Sequence, residues 1–135
     1  DALRPHRRSV MDNKTKYLKQ YLLIFGLLNI FVISFTVPLL LGDWLLWEPR
    51  NLAVEMMMSS IYLAMGIVMV LSARNPLPHK AFIDFLVIAN LAHAFVMLIF
   101  TENIWQLLFD VGVIALMGAL PLFFYPWGLR RFLRY

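Results

Sequence analysis

Read for hydrophobic and polar positions, the chain divides into four long apolar runs, at about 17–41, 53–73, 81–100 and 105–125, with short polar stretches between them. Each run approaches the roughly 20 residues that a helix, rising about 1.5 Å per residue, needs to cross a hydrocarbon core about 30 Å thick. The apolar character is nearly continuous, and an open sheet could not satisfy its backbone in lipid. The pattern therefore predicts helices, and the expected fold is an all-α integral membrane four-helix bundle.

Local chemistry predicts where the helices stop. Gly42-Asp43 closes the first run. Arg74-Asn75-Pro76-Leu77-Pro78 ends the second, because proline has no amide donor and pushes the residue before it out of the α region. Pro121 falls inside the fourth run and is expected to kink it or to open its last turn. The domain organisation that follows is a basic N-terminal tail over 1–16, a four-helix domain over 17–127 and a basic C-terminal tail over 128–135. Met11 opens the stretch Met-Asp-Asn-Lys-Thr-Lys, which reads as a natural start, so residues 1–10 are expected to be an overlong start or a loose, disordered leader. The first run is too long for a signal-peptide core, and Val37-Pro38-Leu39-Leu40-Leu41 offers no small-residue cleavage site.

Composition agrees with the pattern. Hydrophobic residues make up 61% of the 135 positions, with a mean hydropathy of +0.73, against about 45–50% in soluble domains. The absence of cysteine excludes a disulfide framework, a thiolate metal site, an iron–sulfur cluster and a cysteine nucleophile, and leaves the compartment open.

Charge sets the expected orientation. Of 12 basic residues, Arg4, Arg7, Arg8, Lys14, Lys16, Lys19, Arg74, Lys80, Arg130, Arg131 and Arg134 fall in the two tails or the loop between the second and third runs. Only Arg50 lies in the other two loops. By the positive-inside rule both termini are cytoplasmic. Asp43, Glu48, Glu55, Glu102 and Asp110 lean to the outer side. Trp44, Trp47 and Trp105 are expected at the outer interface, and Tyr17, Tyr21, Tyr125 and Trp127 at the inner one, where amphipathic rings prefer to sit. The basic tails face an anionic leaflet, so acidic lipid headgroups are their expected partners and nucleic acid is not.

Small and polar residues inside the runs carry the remaining information. Helices in lipid associate through small residues and hydrogen bonds. In the second run Glu55, Ser59, Tyr62, Gly66 and Ala73 share a face; in the fourth, Gly112, Ala115 and Gly118 recur at steps of three, followed by Ala119. These stripes are expected to pack against other helices of the bundle or against a partner subunit. The third run aligns Leu86, Asn90, His93 and Met97, with His79 continuing the line. A histidine at that depth needs a partner and marks a candidate site.

Three roles suit His93. It is a neutral core histidine bonded to Asn29, Tyr62 or Glu55; or it takes part in proton or quinone hydrogen bonding; or it is an axial ligand to haem or a chlorin. Ala89, four residues earlier, would leave room for a macrocycle. A second axial ligand would have to be a thioether from Met65 or Met97, since no second intramembrane histidine exists. Asp84 is expected to pair with Lys80. Glu55 and Asp110 are expected to be interfacial, or to join Asn90 and His93 in a polar pocket for protons, a cation or a quinone headgroup. No glycine-rich phosphate loop, His-x-x-x-His pair, carboxylate cluster or serine–histidine signature occurs, so neither an enzyme nor another metal centre is expected.

The stretches Glu55-Met56-Met57-Met58-Ser59, Ser72-Ala73-Arg74-Asn75-Pro76 and Ala92-His93-Ala94-Phe95-Val96-Met97, together with His79, resemble an uncharacterised family of small bacterial four-helix membrane proteins that is distantly similar to DoxX-type proteins. The likeness covers about residues 50–100. It implies the same topology, a bacterial cytoplasmic membrane and, through the DoxX side, respiratory or redox machinery, but no activity. Its pattern falls on Glu55, Arg74, Asn75, His79 and His93. The function expected from the sequence is a non-enzymatic accessory subunit of a larger membrane complex of the energy-transducing or redox type. The alternative is a small carrier or quinone- or proton-interacting protein built around the His/acid pocket.

Overall fold

A computed structural model describes residues 3–41 and 49–125, with side chains described from Met11 onward. The expected stop at Gly42-Asp43, the tryptophans at positions 44, 47 and 127, and the C-terminal tail lie outside the described residues. All regular structure among the described residues is helical, and four helices are long and apolar enough to cross a membrane.

The first, α1 (Leu3–Leu27), runs without a break into a π-helical stretch, Leu28–Leu41. Because α1 begins at Leu3, the segment expected to be a tail is its first part; the residues there are mostly ordinary helix formers. Side-chain bonds keep step with the widened turns. The Ser34 hydroxyl donates to the Asn29 carbonyl at 2.6 Å and the Thr36 hydroxyl to the Phe31 carbonyl at 3.0 Å, each five residues back. Pro38 sits inside this stretch, where it has no amide to contribute.

The second helix, α2 (Leu52–Ser72), is capped by Asn51, whose Oδ1 accepts the Val54 amide at 3.2 Å. It ends ahead of Asn75-Pro76. A 3₁₀ turn (Leu77–His79) leads into α3 (Lys80–Ile99). The fourth span opens with a π turn, Gln106–Val111, and continues as α4 (Gly112–Phe124). Asn103 Oδ1 accepts the amides of Trp105 and Gln106, both at 3.0 Å, while Gln106 Oε1 accepts the Glu102 amide at 3.0 Å. This reciprocal arrangement satisfies donors that a helix start otherwise leaves orphaned. Pro121 is buried within α4, which runs on to Phe124.

Close packing divides the bundle into two hairpins. Both α1 and its π stretch lie against α2, and α3 lies against α4; α1 and α4 join the pairs, whereas α2 and α3 do not approach closely. The α1–α2 crossing is made by two glycines: a Cβ at Gly66 would fall 2.8 Å from the Gly26 carbonyl oxygen and 2.9 Å from Asn29 Cβ. At the α3–α4 crossing, a Cβ at Gly118 would fall 2.8 Å from Leu91 Cγ. Gly112 differs. It is exposed, and among the described residues a Cβ there would meet only the Leu107 carbonyl of its own span, at 3.3 Å, so it does not form with them the helix contact expected of it.

One end of the bundle is solid. Leu18, Tyr21, Leu22, Met69, Ile83, Leu86, Val87 and Tyr125 form its core. Tyr21 and Tyr125, expected at the inner interface, are 4% and 1% exposed within the bundle. Their hydroxyls find buried acceptors, which lets amphipathic rings enter a core: Tyr21 donates to the Met117 carbonyl and Tyr125 to Asp84 Oδ1 at 2.6 Å. Lys80 is also paired with Asp84. Tyr17 alone of the three stays exposed, with its ring 5.8 Å from that of Phe124. Outside the core, apolar side chains such as Phe31, Leu40, Met57, Phe95 and Phe123 point outward.

Candidate functional site

The other end of the bundle is hollow. A cavity of about 610 Å³ opens between the π stretch after α1, α2, α3 and the π turn that begins the fourth span. Most of its wall is apolar, from Leu28, Val32, Val37, Val54, Met97, Val113 and Ile114 among others. Its polar wall consists of Asn51, Glu55, Ser59, Tyr62, His93 and Asp110. Ligand pockets characteristically measure about 300–1,000 Å³ and combine an apolar lining with a few convergent polar groups. Both π segments border this space. A π turn is wider than an α turn and re-aims the side chains along it, and such turns recur at functional sites. Asp110 lies on one of them.

Each polar group has a distinct environment. Tyr62, 8% exposed, faces the half-buried His93 across the hairpins, and its hydroxyl oxygen lies 3.1 Å from His93 Nδ1. Of the three partners considered for His93, Tyr62 is the one found. Glu55 sits at the mouth, held by Arg50 through Nε–Oε1 at 3.1 Å and Nη2–Oε2 at 2.6 Å. The same guanidinium donates to the Pro38 carbonyl at 2.9 Å, fastening the loop to the end of the first span. Asp110 is different: its Oδ2 is buried and has no hydrogen-bond partner among the described residues.

Asn90 does not join this cavity. Its amide donates to the Leu86 carbonyl at 2.8 Å, and it lines a second hollow of about 340 Å³ in the gap between α2 and α3. Tyr62, His93 and Met58 border both spaces. Of the four expected pocket residues, Glu55, His93 and Asp110 therefore share the larger cavity, and Asn90 meets only His93, in the smaller one. Among the packing residues, Ser59 and Gly66 are buried on α2 and Gly118 on α4. No group of three or more histidine, cysteine or acidic residues that could hold a metal occurs among the described residues.

Two contributors escape a reading of the sequence. Arg50 reads there only as the stray basic residue of an outer loop, yet it organises the mouth. A lone base five positions before a lone acid, on either side of a helix cap, was the available signal. Gly26 passes unnoticed because no second small residue repeats near it at helical spacing. No protein-family model, curated protein or solved structure matches this chain.

Proposed function

We propose that this chain is an integral membrane protein that crosses the bilayer four times with both termini on the cytoplasmic side. We further propose that it binds a small amphipathic lipophile in the larger cavity, acting as a carrier or as a quinone- or proton-interacting protein. The observation that carries this reading is the convergence of Tyr62, His93 and Asp110, from three different spans, on one largely apolar cavity of about 610 Å³. The four apolar spans and the distribution of basic residues support the topology. On that orientation the cavity lies in the outer half of the membrane and the solid core in the inner half. A bacterial cytoplasmic membrane is the proposed location, by the resemblance to small DoxX-like proteins.

Extraction in mild detergent, followed by mass spectrometry of the organic-soluble material, tests the reading. A lipophile enriched with the unmodified chain should disappear when Ser59→Trp fills the cavity. Equal recovery from both forms would remove the proposal. A second reading is supported by the groove between α2 and α3, lined by Ile61, Ala64, Val68, Phe82 and Phe85. It offers a seat for a helix of another membrane subunit, as an accessory subunit would require. A native gel of the same extract separates the two, because a subunit migrates with stoichiometric partners.

A further inference from the structure

The cavity's hydrogen-bonding account is unbalanced, and the imbalance identifies a ligand class. Of its titratable lining groups, Tyr62 and His93 bond to each other, and the Glu55 carboxylate is matched by Arg50. What remains is the half-buried Asp110, whose buried Oδ2 has no hydrogen-bond donor among the described residues. Among the described residues, no lysine or arginine lines the cavity. A buried acceptor without a donor is costly, and a buried carboxylate more so, unless an opposite charge or a proton donor meets it.

A quinone carbonyl brings a second acceptor and leaves that need unmet. A protonated amine brings both the positive charge and the N–H groups. Tyr62 and Phe109 line the same cavity, and aromatic faces also attract organic cations. Resting on the cavity reading above, we infer that the ligand is a lipophilic amine bound as its cation, with its nitrogen at Asp110 and its apolar body along the walls contributed by the first and fourth spans.

Equilibrium dialysis of the full chain in nanodiscs of zwitterionic lipid, corrected with empty nanodiscs, tests this with 6-phenylhexylamine and its uncharged counterpart 6-phenylhexanol. A primary amine stays protonated at neutral pH, as lysine does. The amine should bind at least about tenfold more tightly than the alcohol, because a hydrogen bond to a charged group contributes about that much. In Asp110→Asn the amine should fall to the level of the alcohol, while alcohol binding persists and shows that the variant is folded.

Alcohol bound as tightly as amine by the unmodified chain would overturn the cationic assignment and leave the cavity reading standing. An amine preference that survives Asp110→Asn would overturn the role of Asp110. Failure of the unmodified chain to bind either probe would overturn both readings. The amine-to-alcohol ratio of the unmodified chain decides even where the variant does not fold.

Discussion

The hydroxyl of Tyr62 lies 3.1 Å from Nδ1 of His93, linking α2 to α3 at a place where the two helices otherwise stand apart. The bond divides the larger cavity from the hollow between those helices. Removing it with Tyr62→Phe should cost about 0.5–1.5 kcal/mol, the usual net worth of a buried hydrogen bond. His93→Gln should cost less than His93→Leu, because the amide can still meet the hydroxyl. Thermal unfolding in detergent of Tyr62→Phe, His93→Leu and the double variant checks the pairing. The two single losses should not add, since both remove the same bond.

The glycines separate by what faces them. At Gly66 an added methyl group meets backbone of the neighbouring helix at 2.8 Å, which cannot yield without moving α1. Gly66→Ala should therefore destabilise by about 1–3 kcal/mol, as overpacking does. At Gly112 the one close atom among the described residues is the Leu107 carbonyl of the same span, at 3.3 Å. There the higher helix propensity of alanine, about 1 kcal/mol, offsets the crowding. Equal melting shifts in the two variants would contradict the crossing described above.

Among the described residues, Arg50 serves three acceptors with one planar group: both oxygens of Glu55 and the Pro38 carbonyl. Arg50→Ala should lower stability by about 1–2 kcal/mol, towards the weaker end for charged hydrogen bonds because the pair is partly exposed. Arg50→Lys should recover less than half of that loss. An ammonium acts as a point charge and cannot reproduce the fork. The melting temperatures of the three proteins, measured side by side in one detergent, decide the point.

The chain contains no cysteine, so single cysteines report topology without background. A cysteine at Asn75, between α2 and α3, should react with a membrane-impermeant maleimide only after the membrane is opened. One at Asn103, between α3 and the fourth span, should react in intact cells. The reverse pattern would invert the proposed orientation, and reaction of both in intact cells would break the four-span parity.

The spans were legible because their signal is the sum of about twenty side chains each, and single errors average out. The start of α2 at Leu52 and the end of α3 at Ile99 each fall one residue from the position expected. The site was legible only in part. Glu55, His93 and Asp110 are polar residues set in long apolar runs, and that contrast makes them conspicuous in a sequence. Asn90 carried the same mark but spends its amide on its own helix. The pairing of Tyr125 with Asp84, 41 positions apart, depends on how α3 crosses α4, and no local pattern encodes that angle. The π turn that carries Asp110 is equally silent, since no residue type specifies a five-residue turn.

The division into two hairpins has a mechanical consequence. The larger cavity draws its walls from both, with Leu28, Val32 and Tyr62 on one side and His93, Asp110 and Ile114 on the other. Two tyrosine hydroxyls bridge the seam, Tyr62 at the hollow end and Tyr21, bonded to Met117, at the solid end. Tyr21 is embedded in tight packing at the solid end, where the core holds the two hairpins together. Because the cavity's walls belong to both hairpins, any change in the angle between them would change the space available to a guest.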